Sequence, residues 1–162
     1  MTKDITIVDL PSRTLAMIRT SAPTDPAALG AAMGEGFGAL MGGLGAAGIT
    51  PQGQPMCAYF DYSDSETTFA VAKPIAAEDA DKVPGNIEVA PMASGKALRL
   101  VHRGPYANLK SSYERLIAEY TSKGYQMRVP SYETYLNDPG DTDEADLLTE
   151  ILMPIGAAEG AE

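Results

Sequence analysis

The sequence predicts an α+β fold in which one strand–helix–strand–strand module occurs twice. Residues 5–23 and 87–105 each begin with a short β-rich run, continue into an alternating apolar strand and end in a small residue followed by proline. A helical stretch and two further strands follow each of them. We therefore expect antiparallel sheet with two main helices, arranged as a tandem pseudo-twofold repeat.

The first helix is predicted to begin near Pro26, with Thr24 and Asp25 as candidate caps. Glu35 falls on its solvent side. At 3.6 residues per turn, the apolar side chains of this helix share one face: Leu29, Met33, Phe37, Leu40, Met41 and Leu44.

The second helix is predicted to begin near residues 106–108. Its polar side chains, which include Glu114 and Glu119, lie off the apolar stripe. The stripe itself consists of Leu109, Tyr113, Leu116, Ile117 and Tyr120. Both helices are expected to end at a glycine followed by an apolar residue, at residues 48–49 and 124–125.

The predicted strands occupy equivalent places in the two halves. They cover residues 15–19, 55–61 and 69–75 in the first half, and 97–101, 131–137 and 147–155 in the second. The short runs 5–8 and 87–90 are expected to extend the sheets. We expect one domain over residues 1–155, with half-repeats at about 3–77 and 86–155. A polar linker covers 78–85, and residues 156–162 form a flexible tail.

Composition excludes several classes of protein. The 162 residues include 22 acidic and 12 basic side chains, so the net charge of −10 disfavours binding to nucleic acid. A single cysteine and a single histidine exclude a disulfide framework and the usual zinc sites, and we expect no metal and no cofactor. The charged start of the chain is unlike a secretory signal, which favours a cytoplasmic protein.

The glycine-rich stretch 27–49 is not expected to span a membrane, because it is mostly Gly and Ala with Glu35 near its middle. Residues 43–48 match G-x-G-x-x-G, but they close a helix, whereas a dinucleotide fingerprint opens one. Seven glycines lie between Gly30 and Gly45. We expect them to allow close packing on the sheet; the alternative is a helix loosened beside a ligand pocket.

Glu133 is the most informative candidate for a functional residue. It lies in a run that otherwise reads as strand, and alternation places it on one face with Tyr135. The repeat aligns Cys57 with Glu133 and Tyr59 with Tyr135. Aromatic rings around a buried carboxylate suit a flat, apolar cation. The alternative is a solvent-facing glutamate on an edge strand.

Three further residues carry side chains that are capable of chemistry. Glu150 is a second carboxylate within a predicted strand and could also point inward. His102 is expected to be a polar residue at a strand end, and Cys57 a small buried hydrophobe. A nucleophilic pair of Cys57 and His102 stays open.

Several short motifs, in order, resemble one family. They are R-G-P-Y-x-x-L at 103–109, Y-E-T-Y-L-N-D-P at 132–139, T-E-I-L-M-P-I at 149–155, G-I-T-P-Q-G-Q-P at 48–55 and Y-F-D-Y at 59–62. Over about residues 3–155 the chain resembles the GyrI-like small-molecule-binding domain. That domain is also called the AraC effector-binding or bacterial transcription activator effector-binding domain.

The resemblance implies a ligand cleft between the two halves and lipophilic, often cationic ligands. The acidic residue of the family's Y-E-x-Y motif maps onto Glu133. The chain has no tryptophan, so ring stacking would fall to Tyr59, Tyr135, Phe37 and Tyr113. Met33 and Cys57 complete the predicted ligand-binding set. In regulators of this family a helix-turn-helix precedes the domain; this chain begins at the first strand and resembles stand-alone members.

Three functions are consistent with this resemblance. The first is sequestration of amphipathic, cationic small molecules without chemistry. The second is hydrolysis of reactive, cyclopropane-type electrophiles, with Glu133 as the catalytic carboxylate. The third is a protein-interaction module such as a gyrase inhibitor.

Overall fold

A computed structural model describes residues 5–10, 12–92, 95–128, 130–138 and 140–156, so the tail expected at 156–162 lies outside the described residues except for Gly156. The described strands and α-helices are β1 (Thr6–Asp9), β2 (Thr14–Pro23), α1 (Pro26–Ala46), β3 (Met56–Tyr62), β4 (Glu66–Ile75), β5 (Glu88–Pro91), β6 (Lys96–Arg103), α2 (Leu109–Lys123), β7 (Gln126–Met127), β8 (Ser131–Tyr135) and β9 (Leu148–Gly156). Short 3-10 turns cover Ala77–Lys82, Tyr106–Asn108 and Glu144–Asp146. The predicted α+β class is therefore confirmed.

The chain forms two compact units, and the two short strands are exchanged between the half-repeats. Of the described residues, one unit contains 12–92, and the other combines 5–10 with 95–156. β1 pairs antiparallel with β6, although β1 begins the first half-repeat and β6 lies in the second. In the same way β5, which begins the second half-repeat, pairs with β2 in the first. Each unit thus completes its sheet with the short strand that begins the other half-repeat.

In the unit formed by residues 12–92, four antiparallel strands have the order β3-β4-β2-β5. β2 and β4 share a ladder of ten residue pairs. α1 begins at Pro26, as predicted, and the Asp25 carboxylate caps it by accepting a hydrogen bond from the backbone N–H of Ala28 at 3.0 Å. The largest fully buried side chains of this unit are Phe69, Leu15, Leu40, Leu44, Met56, Val71 and Thr67.

The glycines of α1 contact the sheet at two positions. A Cβ atom at Gly36 would lie 3.0 Å from Cγ2 of Val71, and one at Gly43 would lie 2.6 Å from Cδ1 of Ile87. The other five glycines of the stretch have no atom within 4 Å of such a Cβ. Close packing of α1 therefore explains two of the seven glycines, Gly36 and Gly43. Met41, which was predicted to lie on the apolar face, is exposed.

In the other unit, four strands have the order β1-β6-β9-β8, and β7 pairs with the end of β9. Its core contains Ile5, Leu98, Leu100, Leu116, Tyr120, Ile151 and Met153. Ile117 was predicted to belong to the buried stripe of α2, but 46% of it is exposed. Glu119, predicted to lie off the stripe, is buried and pairs with Lys123 at 3.1 Å. The buried residues of α2 are 112, 116, 119 and 120. The helix is therefore rotated about its own axis relative to the predicted orientation.

Equivalent hydrogen bonds at the ends of α1 and α2 show that the two units repeat the same local structure. The helices end at left-handed glycines, Gly48 and Gly124, which have φ of +75° and +72°. Glycine has no Cβ to oppose this conformation. The next backbone N–H, of Ile49 or Tyr125, then donates to the carbonyl five residues back, at 2.9 Å and 3.1 Å. The predicted glycine ends of both helices are thus confirmed.

Candidate functional site

Glu133 is a buried carboxylate in the middle of β8. Only 4% of the residue is exposed. Its cross-strand neighbour on β9 is the fully buried Ile151, so the pleat directs Glu133 to the same face as this core residue. The alternative of a solvent-facing glutamate is therefore wrong for this position.

Two tyrosine hydroxyls donate hydrogen bonds to the two oxygens of Glu133. The hydroxyl of Tyr113, from the first turns of α2, lies 2.5 Å from Oε2. The hydroxyl of Tyr135, two residues further along β8, lies 2.7 Å from Oε1. These lengths are typical of O–H donors to a carboxylate, and such bonds replace part of the hydration that burial removes. Both donors are neutral phenols, so neither of these two contacts is an ion pair.

A third ring, Tyr106, extends the site towards solvent. It opens the 3-10 turn before α2 and meets the ring of Tyr135 edge to face, with centroids 5.7 Å apart. Burial raises the pKa of the Tyr106 hydroxyl, and the negative charges of Asp138 and Glu133 raise it further. Tyr106 thus lies within electrostatic reach of two carboxylates, although 37% of it is exposed. We call Glu133, Tyr113, Tyr135 and Tyr106 the Glu133 cluster.

Sequence reasoning omitted Tyr106 from the site, although its motif, R-G-P-Y, carries part of the resemblance. The motif places this tyrosine at the start of the second helical stretch, directly after the strand that ends in Gly-Pro. This position in the motif is the one feature of the sequence that could have indicated a role for Tyr106 in the site. Its contact with Tyr135 joins elements 29 residues apart in sequence, and no local pattern indicates such a contact.

His102 joins the end of β6 to the start of α2. Its Nε2 lies 3.1 Å from the carbonyl oxygen of Pro105, and its Nδ1 lies 2.8 Å from the hydroxyl of Ser112. Because a carbonyl only accepts, Nε2 carries the hydrogen, and in the neutral ring Nδ1 accepts from Ser112. The ring is buried. The contacts of His102 are those of a structural residue at a strand end.

Glu150 has a different environment from Glu133. Its register partner on β8 is Thr134, which places it on the face opposite Glu133 and Ile151. The Arg99 guanidinium donates to Glu150 at 2.7 Å and balances its charge. Glu150 therefore lies apart from the Glu133 cluster.

The other predicted ligand-binding residues belong to the unit formed by residues 12–92. Met33 and Phe37 lie one turn apart on α1 and are half-buried, and Cys57 on β3 is fully buried. Tyr59 is half-buried, with its ring 6.1 Å from that of Phe69. The register of the sheets aligns Cys57 with Glu133, since their partners, Val71 and Ile151, hold equivalent places on β4 and β9. A ligand-binding role for these four residues stays a prediction.

Two wider features bear on the class of protein. Within the described ranges, no group of three or more histidine, cysteine, aspartate or glutamate side chains is placed to hold a metal ion. None of the helices in the described part of the chain is long and apolar enough to cross a bilayer.

The family model described as "GyrI-like small molecule binding domain" matches residues 3–156, so the chain belongs to the GyrI-like family. This match confirms the resemblance that the sequence motifs indicated. No curated protein sequence matches the chain significantly.

Solved structures with the same fold share little sequence with this chain. The C-terminal domain of EcmrR has a TM-score of 0.76 at 20% identity, over 95% of this chain and 98% of that one. In the EcmrR–DNA complex the TM-score is 0.81 at 20% identity, and 95% of this chain spans only 57% of the EcmrR chain. SAV2435 bound to tetraphenylphosphonium has a TM-score of 0.66 at 16% identity, over 94% of both chains. A hydrolase encoded by lin2189 from Listeria innocua has a TM-score of 0.61 at 12% identity, over 94% of this chain and 91% of that one.

Proposed function

We propose that this chain binds and sequesters lipophilic, cationic small molecules, with the Glu133 cluster as the charge-recognising part of the site. The observation that carries the proposal is a carboxylate with 4% exposure whose two oxygens accept from tyrosine hydroxyls. A buried carboxylate attracts a cation more strongly than an exposed one does, because less water screens the charge. The tyrosine rings offer negative faces to the same cation.

The proposed site should accept ligands of different shape because of the kinds of contact that it offers. Apolar burial and ring stacking are less directional than hydrogen bonds, so ligands of different outline can use the same surface. The carboxylate then selects by charge and disfavours neutral and anionic analogues. The bound tetraphenylphosphonium of SAV2435 supports this ligand class, since that ion is apolar, aromatic and permanently charged.

The test compares tetraphenylphosphonium with triphenylphosphine oxide, a neutral aromatic relative, by isothermal titration calorimetry. Wild type should bind the cation more tightly than the oxide. Glu133→Gln should weaken cation binding by about 10- to 100-fold, as expected for a charged interaction of roughly 1.5–3 kcal/mol, and leave the oxide unaffected.

Glu114→Gln is the matched control, because it removes the same charge from an exposed position on α2. It should bind the cation like wild type. Equal cation affinity in Glu133→Gln and Glu114→Gln, or no cation binding by wild type, would overturn the proposal.

Hydrolysis of a strained electrophile is the second candidate function of the same cluster. It is supported by the two hydroxyls on Glu133 and by the name of the Listeria innocua neighbour. Glu133 would accept a proton from water as the water oxygen bonds to the strained carbon, and a tyrosine would protonate the carbon whose bond breaks. Multiple turnovers of a cyclopropane-bearing alkylator, abolished in Glu133→Gln, would establish it. Consumption that stops at one equivalent would support sequestration.

A further inference from the structure

A cleft lies in the unit formed by residues 12–92, where β2 begins and β4 ends. Its volume is about 460 Å³, within the usual range for small-molecule sites. Hydrogen-bonding side chains line one part of it, namely those of Ser12, Arg13, Thr14, Gln52 and Gln54. Pro74, Ile75 and Pro91 line the apolar part. None of the described residues that line the cleft is acidic, although 22 of the chain's 162 residues are.

Arg13 supplies the positive charge of this cleft. Its side chain is exposed, and within the described residues it forms no ion pair. Its backbone is held in place, because the carbonyl of Arg13 accepts from the N–H of Met92 at 2.9 Å. The guanidinium, which carries five N–H donors, therefore extends from an anchored backbone position directly before β2.

The loop with the two glutamines is also held in place. The N–H of Gln52 donates to the carbonyl of Pro74 at 2.8 Å. The ammonium of Lys73 donates to the carbonyl of Gly53 at 2.8 Å. Neither bond uses the side-chain amide of Gln52, a residue that lines the cleft. Donors on fixed backbone lose less entropy when they bind a ligand.

The equivalent corner of the other unit is filled by the chain itself. There the N–H of Arg128 donates to the carbonyl of Pro154, and the N–H of Leu10 donates to that of Gly95. Arg128 therefore donates at the place that Gln52 holds in the unit formed by residues 12–92. In the same way, Gly95 accepts at the place that Arg13 holds there. Nη1 of Arg128 lies 3.0 Å from where a Cβ of Gly95 would stand. In one unit the arginine covers its corner; in the other the shorter Gln52 leaves the corner open.

We propose that the cleft beside Arg13 binds a small organic anion with a carboxylate, sulfonate or phosphate group on an apolar body. The guanidinium of Arg13 pairs with the anionic group in the bidentate geometry that such groups favour. The side-chain amide of Gln52 donates to a remaining oxygen. Pro74 and Pro91 contact the apolar part of the ligand. Because the whole chain carries −10, general electrostatic attraction does not account for an anion bound here.

The test uses benzoate, benzenesulfonate and phenyl phosphate as probes, with benzyl alcohol as the neutral analogue, in ¹H–¹⁵N correlation spectra of the full chain. At least one anion should cause saturable shifts of the backbone amides of Thr14, Gln52, Gly53 and Gln54. The three anions distinguish a carboxylate site from a sulfonate or phosphate site. Benzyl alcohol should bind at least about tenfold more weakly, since it lacks the charged hydrogen bonds.

Arg13→Gln should weaken the preferred anion by about tenfold or more. Arg19→Gln is the control: it makes the same change in charge on β2, six residues further along the chain, and should leave the shifts unchanged. Glu133→Gln should also leave them unchanged, so this test is independent of the cation proposal. Undiminished anion binding in Arg13→Gln, shifts confined to other residues, equal binding of benzyl alcohol or no saturable shift with any anion would each overturn the proposal.

Discussion

The hydroxyl of Tyr113 donates a hydrogen bond of 2.5 Å to Oε2 of Glu133, and so ties α2 to β8. The bond joins a half-buried ring on a helix to a buried carboxylate on a strand. It therefore serves stability and the candidate site at once. Tyr135 completes the arrangement from the other side of the carboxylate.

Removing the Tyr113 hydroxyl should destabilise the protein through Glu133. In Tyr113→Phe one oxygen of the buried carboxylate loses a hydrogen-bond donor, and we expect a loss of about 1–3 kcal/mol in the free energy of unfolding by urea denaturation. The double variant Tyr113→Phe/Glu133→Gln should lose less than the sum of the two single variants. Strictly additive losses would show that the two side chains do not act together.

Tyr106 should contribute to ligand affinity more than to stability. Its ring is partly exposed and meets Tyr135 at the outer side of the cluster. Tyr106→Ala should weaken binding of a rhodamine dye by about 2- to 30-fold, in line with roughly 0.5–2 kcal/mol for one cation–π contact, in a fluorescence titration. Tyr106→Phe keeps the ring and should bind nearly as wild type does. If Tyr106→Ala binds the dye as tightly as wild type, the ring lies outside the ligand site.

These residues show how far sequence reasoning reached. Glu133 and Tyr135 could be placed on one face of a predicted strand, because alternation puts residues i and i+2 on the same side, whereas spacing alone left open whether Glu133 is buried. The helical stripe placed Tyr113 on the inner face of α2, and its ring was assigned to the site only through the family resemblance. Tyr106 could not, since its contact with Tyr135 is tertiary.

The errors have similar physical causes. Ile117 and Glu119 exchanged their expected environments because the apolar stripe defines a helix face only to within about one residue, and the sheet selects the final rotation. Sequence order also did not reveal the exchange of β1 and β5, because strand pairing is non-local. The overall repeat was predictable, since it depends on local motifs that recur.

Replacing the buried hydroxyl of Thr149 by a methyl group should stabilise the protein. Thr149 on β9 is fully buried, and its Oγ1 forms no hydrogen bond among the described residues. Thr149→Val keeps the shape and removes the uncompensated polar group, so we expect a gain of about 1 kcal/mol or more in the free energy of unfolding.

Thr67 provides the contrast. It is equally buried, but its hydroxyl lies 2.7 Å from that of Thr24. Thr67→Val should therefore destabilise by about 1 kcal/mol. Urea denaturation of both variants checks the pair, and a loss of stability in Thr149→Val would mean that its hydroxyl has a partner such as a buried water.

Two glycines of α1 should respond differently to alanine. Nothing lies within 4 Å of a Cβ at Gly38, whereas one at Gly36 would lie 3.0 Å from the buried Val71. Gly38→Ala should stabilise by about 1 kcal/mol through helix propensity. Gly36→Ala should gain less or lose stability, because the β-branched Val71 has little freedom to move. Thermal melts of the two variants give the comparison, and equal gains would contradict the close approach of α1 to β4.

Alkaline pH should destabilise the protein partly through Tyr120. Burial raises the pKa of its hydroxyl well above the ordinary value of 10.0, and that hydroxyl donates to the carbonyl of Pro154 at 2.8 Å. Because the folded pKa is higher than the unfolded one, the stabilisation is fully present below pH 10. It is lost as the pH rises further, since the unfolded chain releases the proton first. Tyr120→Phe should flatten the decline in the free energy of unfolding above this pH, measured by urea denaturation at stepped pH. Absorbance at 295 nm should show one fewer late-titrating phenol in the variant, and an unchanged decline would assign the alkaline loss to other groups.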